Sequence, residues 1–353
     1  VSELTRAKGK RACGAVLISA AVGGLFDSSG AMAFTPDVTD SVRDEVVQEG
    51  VQNVRTGGLT TNHTIGNRGT QIVAGGQTVD TRVQDGGSQV VRQNGQTTGT
   101  VVTNGVQIVE VDGTATGSQL NSGGTQAVSG KASGTVVGAG GVQTVLQSGL
   151  ASQTVINNGG VQAVSGKSVE GVVNAGGTQL INSGGFSQDA TVNSGGIQHV
   201  NVGGSAADTA IFGGGNQIVA GTVSGAHLND GGAQLVQQTG KAIGTIVNNR
   251  GTQTVDGTAI SAVVNGGGTQ LVHSGGLAAG TTVNSGGIQH IKQGGAASDG
   301  VVFGGGTQVL SGTASGTSVS EGGAQLVQAT GKSTGTIINN RGTQTVDGQA
   351  ISS

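Results

Sequence analysis

The side chains that could perform acid–base or metal chemistry are few and scattered. The five histidines, at 63, 199, 227, 273 and 290, form no cluster with one another. His199 and His290 occupy matching places in two near-identical segments, which favours duplicated surface residues over metal ligands. Arg68, Arg250 and Arg341 each precede a Gly-Thr-Gln string and are interpreted as solvated turn residues. The sequence therefore predicts no catalytic residue, no metal site and no cofactor.

The glycine strings offer no alternative chemistry. Gly213-Gly214-Gly215 and similar strings neither open a helix nor belong to a βαβ unit, so a nucleotide loop is not predicted. A Gly-Gly-x-Gly-x-Asp calcium repeat does not recur, and no Gly-Asp-Ser-Gly string indicates a serine protease. The chain is predicted not to be an enzyme.

Small hydroxyl side chains beside glycine are the remaining candidates for chemistry. Ser122, Ser183, Ser194 and Ser285 lie in Asn-Ser-Gly-Gly strings, while Ser148 and Ser274 lie in longer turns. Each serine taken singly can be read as a turn former. Taken together, exposed hydroxyls on successive turns would be good acceptors for O-linked sugars. These six serines are the candidate O-glycosylation sites.

All these residues are positioned by one short repeat. A glutamine recurs at steps of 17, 18 or 19 residues, and Val, Ile or Leu always stands two positions after it. The glutamines are at 52, 71, 89, 107, 126, 143, 162, 179, 198, 217, 234, 253, 270, 289, 308, 325 and 344. Such a fixed period is typical of a solenoid.

Each repeat shows two strand signals, Gln-x-Val and Thr-x-Val, separated by Gly, Asn and Ser turns. Strands this short become stable only when stacked on like strands about 4.8 Å above and below. The predicted fold class is all-β, a right-handed parallel β-helix (β-solenoid) of about 17 rungs of 17–19 residues. The two extra residues of the longer rungs enter the same turn each time.

The position of the glutamine column has two interpretations. Gln shares a strand face with the aliphatic residue two places on, which favours an inner corner with amides bonded up the stack. The alternative is an outward glutamine ladder. The variable residue between them suits an outward position. Near-copies 91 residues apart, such as those around Gln198 and Gln289, indicate that five rungs were duplicated together.

Composition and charge narrow the class of protein. The 353 residues include 72 Gly and one Pro, but the regular apolar positions argue against disorder, and collagen periodicity is absent. A net charge of −3 with 10% charged residues provides no basic surface for nucleic acid.

The first 33 residues differ from the repeats. Basic residues at 6–11 and an apolar run at 12–25 predict a secretory signal peptide at 1–33, truncated at its start, with cleavage between Ala33 and Phe34. The only cysteine, Cys13, falls within it. Residues 34–49 are predicted to be a leader or N-terminal cap. Residues 50–353 are predicted to be the β-helical repeat domain, incomplete at its C-terminus.

The repeat resembles a known family. The order of Gly, Gln, Val, Ala and Thr in residues 141–155 resembles the repeat of self-associating autotransporter adhesins of Gram-negative bacteria, the AIDA/TibA type. Residues 2–6 also resemble the tail of their extended signal peptide. The resemblance covers essentially the whole chain after the signal.

The resemblance implies a function and partners. It implies a passenger exported across the periplasm to the cell surface and outer membrane, acting as an adhesin in autoaggregation and biofilm growth. It also implies O-linked heptosylation of Ser and Thr by a heptosyltransferase, self-association between passengers on neighbouring cells, and a host cell surface receptor. The alternative function is a carbohydrate-active enzyme on a β-helix, which would require an acidic or basic cluster. An ice-binding array of Thr is a third interpretation.

Overall fold

The solenoid is built from three parallel sheets. The computed structural model describes residues 37–352, which fall in the compact unit Ala33–Ser353. The predicted signal peptide (1–33), with its cleavage site at Ala33 and Phe34, lies outside these residues. Each described turn contributes one strand to each sheet, and every strand except the first and last of a sheet pairs in parallel with the equivalent strand one turn earlier and later. The turns coil as a right-handed β-solenoid, as predicted.

Sheet A contains the glutamine column. Its 17 strands are Val51–Val54, Thr70–Ala74, Ser88–Arg92, Val106–Val109, Thr125–Val128, Val142–Val145, Val161–Val164, Thr178–Ile181, Ile197–Val200, Asn216–Val219, Ala233–Val236, Thr252–Val255, Thr269–Val272, Ile288–Ile291, Thr307–Leu310, Ala324–Val327 and Thr343–Val346.

Sheet B follows sheet A in each turn. Its 18 strands are Ser41–Arg43, Leu59–Thr61, Gln77–Val79, Gln96–Thr98, Thr114–Thr116, Lys131–Ser133, Leu150–Ser152, Lys167–Val169, Phe186–Gln188, Ser205–Ala207, Thr222–Ser224, Lys241–Ile243, Thr258–Ile260, Leu277–Ala279, Ala296–Ser298, Thr313–Ser315, Lys332–Thr334 and Gln349–Ile351.

Sheet C closes each turn before the next strand of sheet A. Its 17 strands are Val46–Val47, Thr64–Ile65, Arg82–Gln84, Val101–Thr103, Gln119–Leu120, Val136–Val137, Val155–Ile156, Val172–Val173, Thr191–Val192, Ala210–Phe212, His227–Asn229, Ile246–Val247, Val263–Val264, Thr282–Val283, Val301–Val302, Ser318–Val319 and Ile337–Ile338.

The prediction of two strands per turn was wrong, because it missed sheet B. A sheet B strand such as Leu150–Ser152 has one inward residue, and that residue is small: Ala151 is buried, as are Ser168 and Thr97 elsewhere in the sheet. Strands such as Leu150–Ser152 lack the β-branched and aromatic residues that signal a strand in sequence, and the others have them in only part of their three positions. They form because each is paired on both sides by equivalent strands.

Each inward position of the repeat forms a column of stacked side chains, one from each turn, and these columns make up the core. In the turn that starts at Gln143, the inward side chains are Gln143, Val145, Ala151, Thr154 and Ile156, all 0–1% exposed. Small residues in sheet B allow it to pack close to sheets A and C. The aliphatic residues of sheets A and C supply most of the apolar burial that offsets the entropy of ordering so many turns.

The rungs of 17 and 19 residues differ in length at one corner. The connection from sheet A to sheet B is two residues long at 129–130 and four residues long at 146–149. The adjoining strands keep their register, because Val128 pairs with Val145 and Ala132 with Ala151. The two extra residues therefore enter this turn, as predicted, without reversing the inward and outward positions.

The first turn begins inside the segment predicted as leader or cap. Ser41–Arg43 and Val46–Val47 are the first strands of sheets B and C. Val38 forms a bridge with Val54, and the carboxylate of Asp37 binds Arg55 at 3.0 Å. Among residues 37–352, no helix is long and apolar enough to cross a membrane.

Candidate functional site

The glutamine column lies inside, which confirms the inward interpretation. From Gln71 onward, each glutamine Nε2 donates to the Oε1 of the glutamine one turn earlier, and these 16 bonds measure 2.6–2.9 Å. The Nε2 of Gln52 donates to the carboxylate of Glu45. Buried hydroxyls such as those of Thr154 and Thr245 also donate to these oxygens, each at 3.1 Å. The amides are thus paired with one another, and the column is structural.

The histidines do not come together. His199 and His290 lie half-buried on the outer face of sheet A, five turns apart. Burial lowers the pKa of both, and Lys292 lowers that of His290 further. Within the described residues, no group of three or more His, Cys, Asp or Glu side chains could hold a metal ion.

His63 is the exception among the histidines, because it is fully buried in a column that Thr, Ser, Ala or Gly occupies in the later turns. Its Nδ1 lies 3.3 Å from the Oε1 of Gln52 and its Nε2 lies 3.2 Å from the carbonyl oxygen of Val42. Burial lowers the pKa of His63, although the Val42 carbonyl and the nearby Glu45 and Asp44 oppose that shift.

The arginines behave as predicted. Arg68, Arg250 and Arg341 are exposed in the turns between sheets C and A, and Arg250 and Arg341 have φ values of 58° and 66°. Long flexible cations at exposed turn positions provide no preorganised site.

Three candidate serines share one corner. Ser122, Ser194 and Ser285 are exposed in the turns between sheets C and A, at the same position of the Asn-Ser-Gly-Gly string. Their hydroxyls make no hydrogen bond with the described residues. Each is therefore accessible from solvent.

Two of these serines have only glycine or alanine at the equivalent position in the turns above and below. Ser194 stacks between the turns of Ala175 and Gly213, since the backbone at 176, 195 and 214 is hydrogen-bonded in series. Ser285 stacks in the same way between the turns of Gly266 and Gly304. A sugar ring is wider than the rung spacing of about 4.8 Å, so a modified serine needs small neighbours. Both serines have them.

Two further candidates lie at a different corner. Ser183 and Ser274 are exposed in the long turns between sheets A and B, although Ser183 has the same Asn-Ser-Gly-Gly string as Ser194. A Cβ at Gly203 would lie 2.5 Å from the Ser183 Oγ, and a Cβ at Gly294 would lie 2.4 Å from the Ser274 Oγ. The next turn therefore requires glycine, which also leaves the hydroxyl uncovered.

Ser148 differs from the other five serines. It is exposed in a long turn between sheets A and B, but its Oγ donates to the carbonyl oxygen of Ser129 at 3.0 Å. Thr239 and Thr330 make the same contact with Ala220 and Ser311, at 3.0 and 2.9 Å. In each case a hydroxyl on a long turn closes over the short turn beneath it. Ser148 borders a notch of about 310 Å³ that Asp112 and Lys131 also line.

The sequence analysis did not predict a ladder of asparagine side chains at the corner between sheets C and A. The side-chain amides after sheet C bond from turn to turn at 2.6–2.9 Å. The two runs contain Asn157, Asn174 and Asn193, and then Asn229, Asn248, Asn265 and Asn284. Phe212 and Phe303 stand at the next position after each run. The signal was available in sequence, because these asparagines recur at steps of 17 or 19 residues directly after an aliphatic residue.

Comparison with solved structures shows a clear similarity to a TibA fragment. Neither a family model nor a curated protein sequence matches the chain. Among solved structures, a hyper-glycosylated fragment of TibA, modified by TibC, is 31% identical, covers 83% of this chain and 99% of its own, and superposes with a TM-score of 0.66.

Two other solved structures are much less similar. The receptor-binding domain of the siphovirus 9NA tailspike is 9% identical over 91% of this chain and 77% of its own, with a TM-score of 0.20. The periplasmic alginate epimerase AlgG is 11% identical over 87% and 76%, with a TM-score of 0.18. Neither supports an argument about function. With the shared solenoid and the identity to TibA along nearly the whole of that fragment, this chain belongs to the TibA-type autotransporter passengers.

Proposed function

We propose that the chain is a surface-displayed, secreted passenger that acts as an adhesin and is O-glycosylated on serine. The observation that carries the proposal is the similarity to the TibA fragment, which TibC glycosylated, together with exposed serines beside small residues at two corners. A rigid solenoid presents such hydroxyls to a modifying enzyme without unfolding. The proposed partner is a glycosyltransferase of the TibC kind, with heptose as the transferred sugar.

The local contacts rank the six candidate acceptors. Ser194 and Ser285 come first, because glycine or alanine occupies the equivalent position in the turns above and below. Ser122, Ser183 and Ser274 follow, with free hydroxyls and a small residue in at least one adjacent turn. Ser148 comes last, because an O-linked oxygen has no hydrogen to donate and modification would remove its bond to Ser129.

Adhesion and self-association complete the proposal. Equivalent side chains recur at every turn, so weak contacts made at one turn can be repeated along the whole solenoid and add by multivalency. This would support autoaggregation, biofilm growth and binding to a host cell surface receptor. Beads coated with the chain should clump with one another and attach to host cell layers more than uncoated beads do.

The glycosylation test is the intact mass of the chain, produced with and without a TibC-type glycosyltransferase. We expect equal sugar-sized increments with the enzyme present. Ser194→Ala combined with Ser285→Ala should remove two increments, while the matched variant Ser148→Ala should leave the pattern unchanged. An identical mass with and without the enzyme would show that the chain is not an acceptor, and loss of an increment in Ser148→Ala would overturn the ranking.

A further inference from the structure

The outer surface of sheet A has an unusual composition. On each strand, the residues immediately before and after the glutamine point outward, and we call these two columns the uncharged face. They comprise two positions on each of the 17 strands, 34 in all, and none is Asp, Glu, Lys or Arg. The outward positions of sheet B, by contrast, include Lys131, Lys167, Lys241 and Lys332. Charge is therefore absent from these two columns, although the outward position that follows them in a strand of sheet A is Arg92 in one turn.

The uncharged face also carries many apolar side chains. The column after the glutamine contains nine Val, Ile or Leu residues: Ile72, Val90, Ile108, Leu180, Ile218, Leu235, Leu271, Val309 and Leu326. The other column contributes six more, of which Ile288 is 37% exposed: Val51, Val106, Val142, Val161, Ile197 and Ile288. The two histidines on the face, His199 and His290, have pKa values lowered by burial and so add no positive charge at neutral pH. No Phe, Tyr or Trp side chain protrudes from the face.

A surface on which half-exposed apolar side chains recur over this many strands is a candidate interaction site. Seventeen strands about 4.8 Å apart form a ladder on the order of 80 Å long, and three residues across a strand add about 10 Å. The face therefore offers on the order of 800 Å² per copy, which is the area that each partner contributes to a standard stable interface.

We infer that the uncharged face docks against the uncharged face of a second copy of this chain. A second copy is the partner with the same spacing between turns, so a contact made at one turn can recur at every turn along the ladder. Two charge-free faces also meet without like-charge repulsion. The inference deepens the proposed self-association, and rests on it, by giving that association a surface.

The proposed acceptor serines lie along both edges of this face. Each strand of sheet A begins after the corner of Ser194 and Ser285 and ends at the corner of Ser183 and Ser274. The test therefore uses the unmodified chain, so its outcome does not depend on glycosylation.

The test is sedimentation equilibrium of the full chain and two double variants across the micromolar range. Leu235→Lys with Leu271→Lys places charge on the uncharged face. The matched control, Ile243→Lys with Ile260→Lys, places the same charge on sheet B, on the corresponding turn and the one after it. We expect a monomer–dimer equilibrium for the unmodified chain, an increase of at least about tenfold in the dimer Kd for the sheet A variant, and no change for the sheet B variant.

A second pair of substitutions separates docking from misfolding. Leu235→Thr with Leu271→Thr removes apolar area without adding charge, and Thr144 and Thr254 already occupy this column. We expect an intact β circular dichroism spectrum and a smaller increase in the dimer Kd. A monomeric unmodified chain, or a dimer weakened by the sheet B variant instead, would overturn the inference. Bead clumping that persists in the sheet A variant would overturn it while leaving the proposed adhesion intact.

Discussion

The inward and outward side chains of sheet A follow different rules, although they alternate along the same strands. Inward, the same glutamine occurs in every turn and is bonded to its neighbours at 2.6–2.9 Å. Outward, the column beside it contains Leu235, Thr254, Leu271 and His290 in four successive turns. An inward amide must find its partner inside the stack, whereas an outward side chain only has to tolerate its neighbours. The inward position therefore keeps the same residue type in every turn, whereas the outward position accepts several residue types.

The largest contrast should come from two glycines four residues apart. Gly240 faces inward, and a Cβ there would lie 2.0 Å from the carbonyl oxygen of Val219, so Gly240→Ala must displace backbone. We expect it to lower the free energy of unfolding by about 3 kcal/mol or more. Gly244 has φ +63° but open space around it, so Gly244→Ala should cost only about 1 kcal/mol. Urea unfolding of both variants would measure the difference, and equal losses would contradict the comparison.

The amide ladder should be the next most sensitive feature. Gln253→Met keeps the side-chain volume but removes the bonds to Gln234 and from Gln270, which measure 2.7 and 2.6 Å. Leaving buried partners unpaired should cost about 2–3 kcal/mol in urea unfolding. The adjacent outward substitution Thr254→Val should change the free energy of unfolding by less than about 0.5 kcal/mol. If the methionine variant were as stable as the unmodified chain, the ladder would not be a stabilising element.

The buried and half-buried histidines should make stability depend on pH in the same direction. Burial lowers the pKa of His63 and His199, so the unfolded chain binds the proton more tightly than the folded one. Their contribution is complete above the ordinary histidine pKa of about 6.5 and is lost as the pH falls below it. The free energy of unfolding should therefore decrease from pH 7 to pH 5.

Each histidine can be replaced by a residue type that already occupies its column in a neighbouring turn. Thr occupies the inward position of His63 one turn later, as Thr81, and Leu180 precedes His199 in the outward column. His63→Thr and His199→Leu should each flatten the pH dependence without disrupting the fold. A decrease as steep as that of the unmodified chain, in both variants, would show that other groups cause it.

The smallest effect should distinguish two exposed hydroxyls. Ser148→Ala removes the bond to the carbonyl oxygen of Ser129 and should cost about 0.5 kcal/mol. Ser183→Ala removes no side-chain bond among the described residues and should be neutral. Thermal unfolding of both variants would resolve the pair. A larger loss in Ser183→Ala would mean that the two corners differ in some other way.

The sequence by itself determined the repeat and the solenoid, and it favoured an inward glutamine. These follow from short-range chemistry, because a residue type that recurs in fixed register with an aliphatic residue must occupy the same place in every turn. The sequence also located the two-residue insertions, since the repeated residues before and after the insertion are the same in short and long rungs. The six predicted serines are all exposed, because each lies beside glycine in a tight turn, four of them in Asn-Ser-Gly-Gly strings.

Only the tertiary structure decided what depends on neighbouring turns. Sheet B forms from strands with small inward residues, whose stability comes from the strands above and below them and not from their own propensity. The same Asn-Ser-Gly-Gly string lies at one corner for Ser183 and at another for Ser194, because the preceding strand belongs to a different sheet. Whether a hydroxyl is free, as in Ser194, or committed to a backbone oxygen, as in Ser148, depends on a residue one whole turn away in the chain.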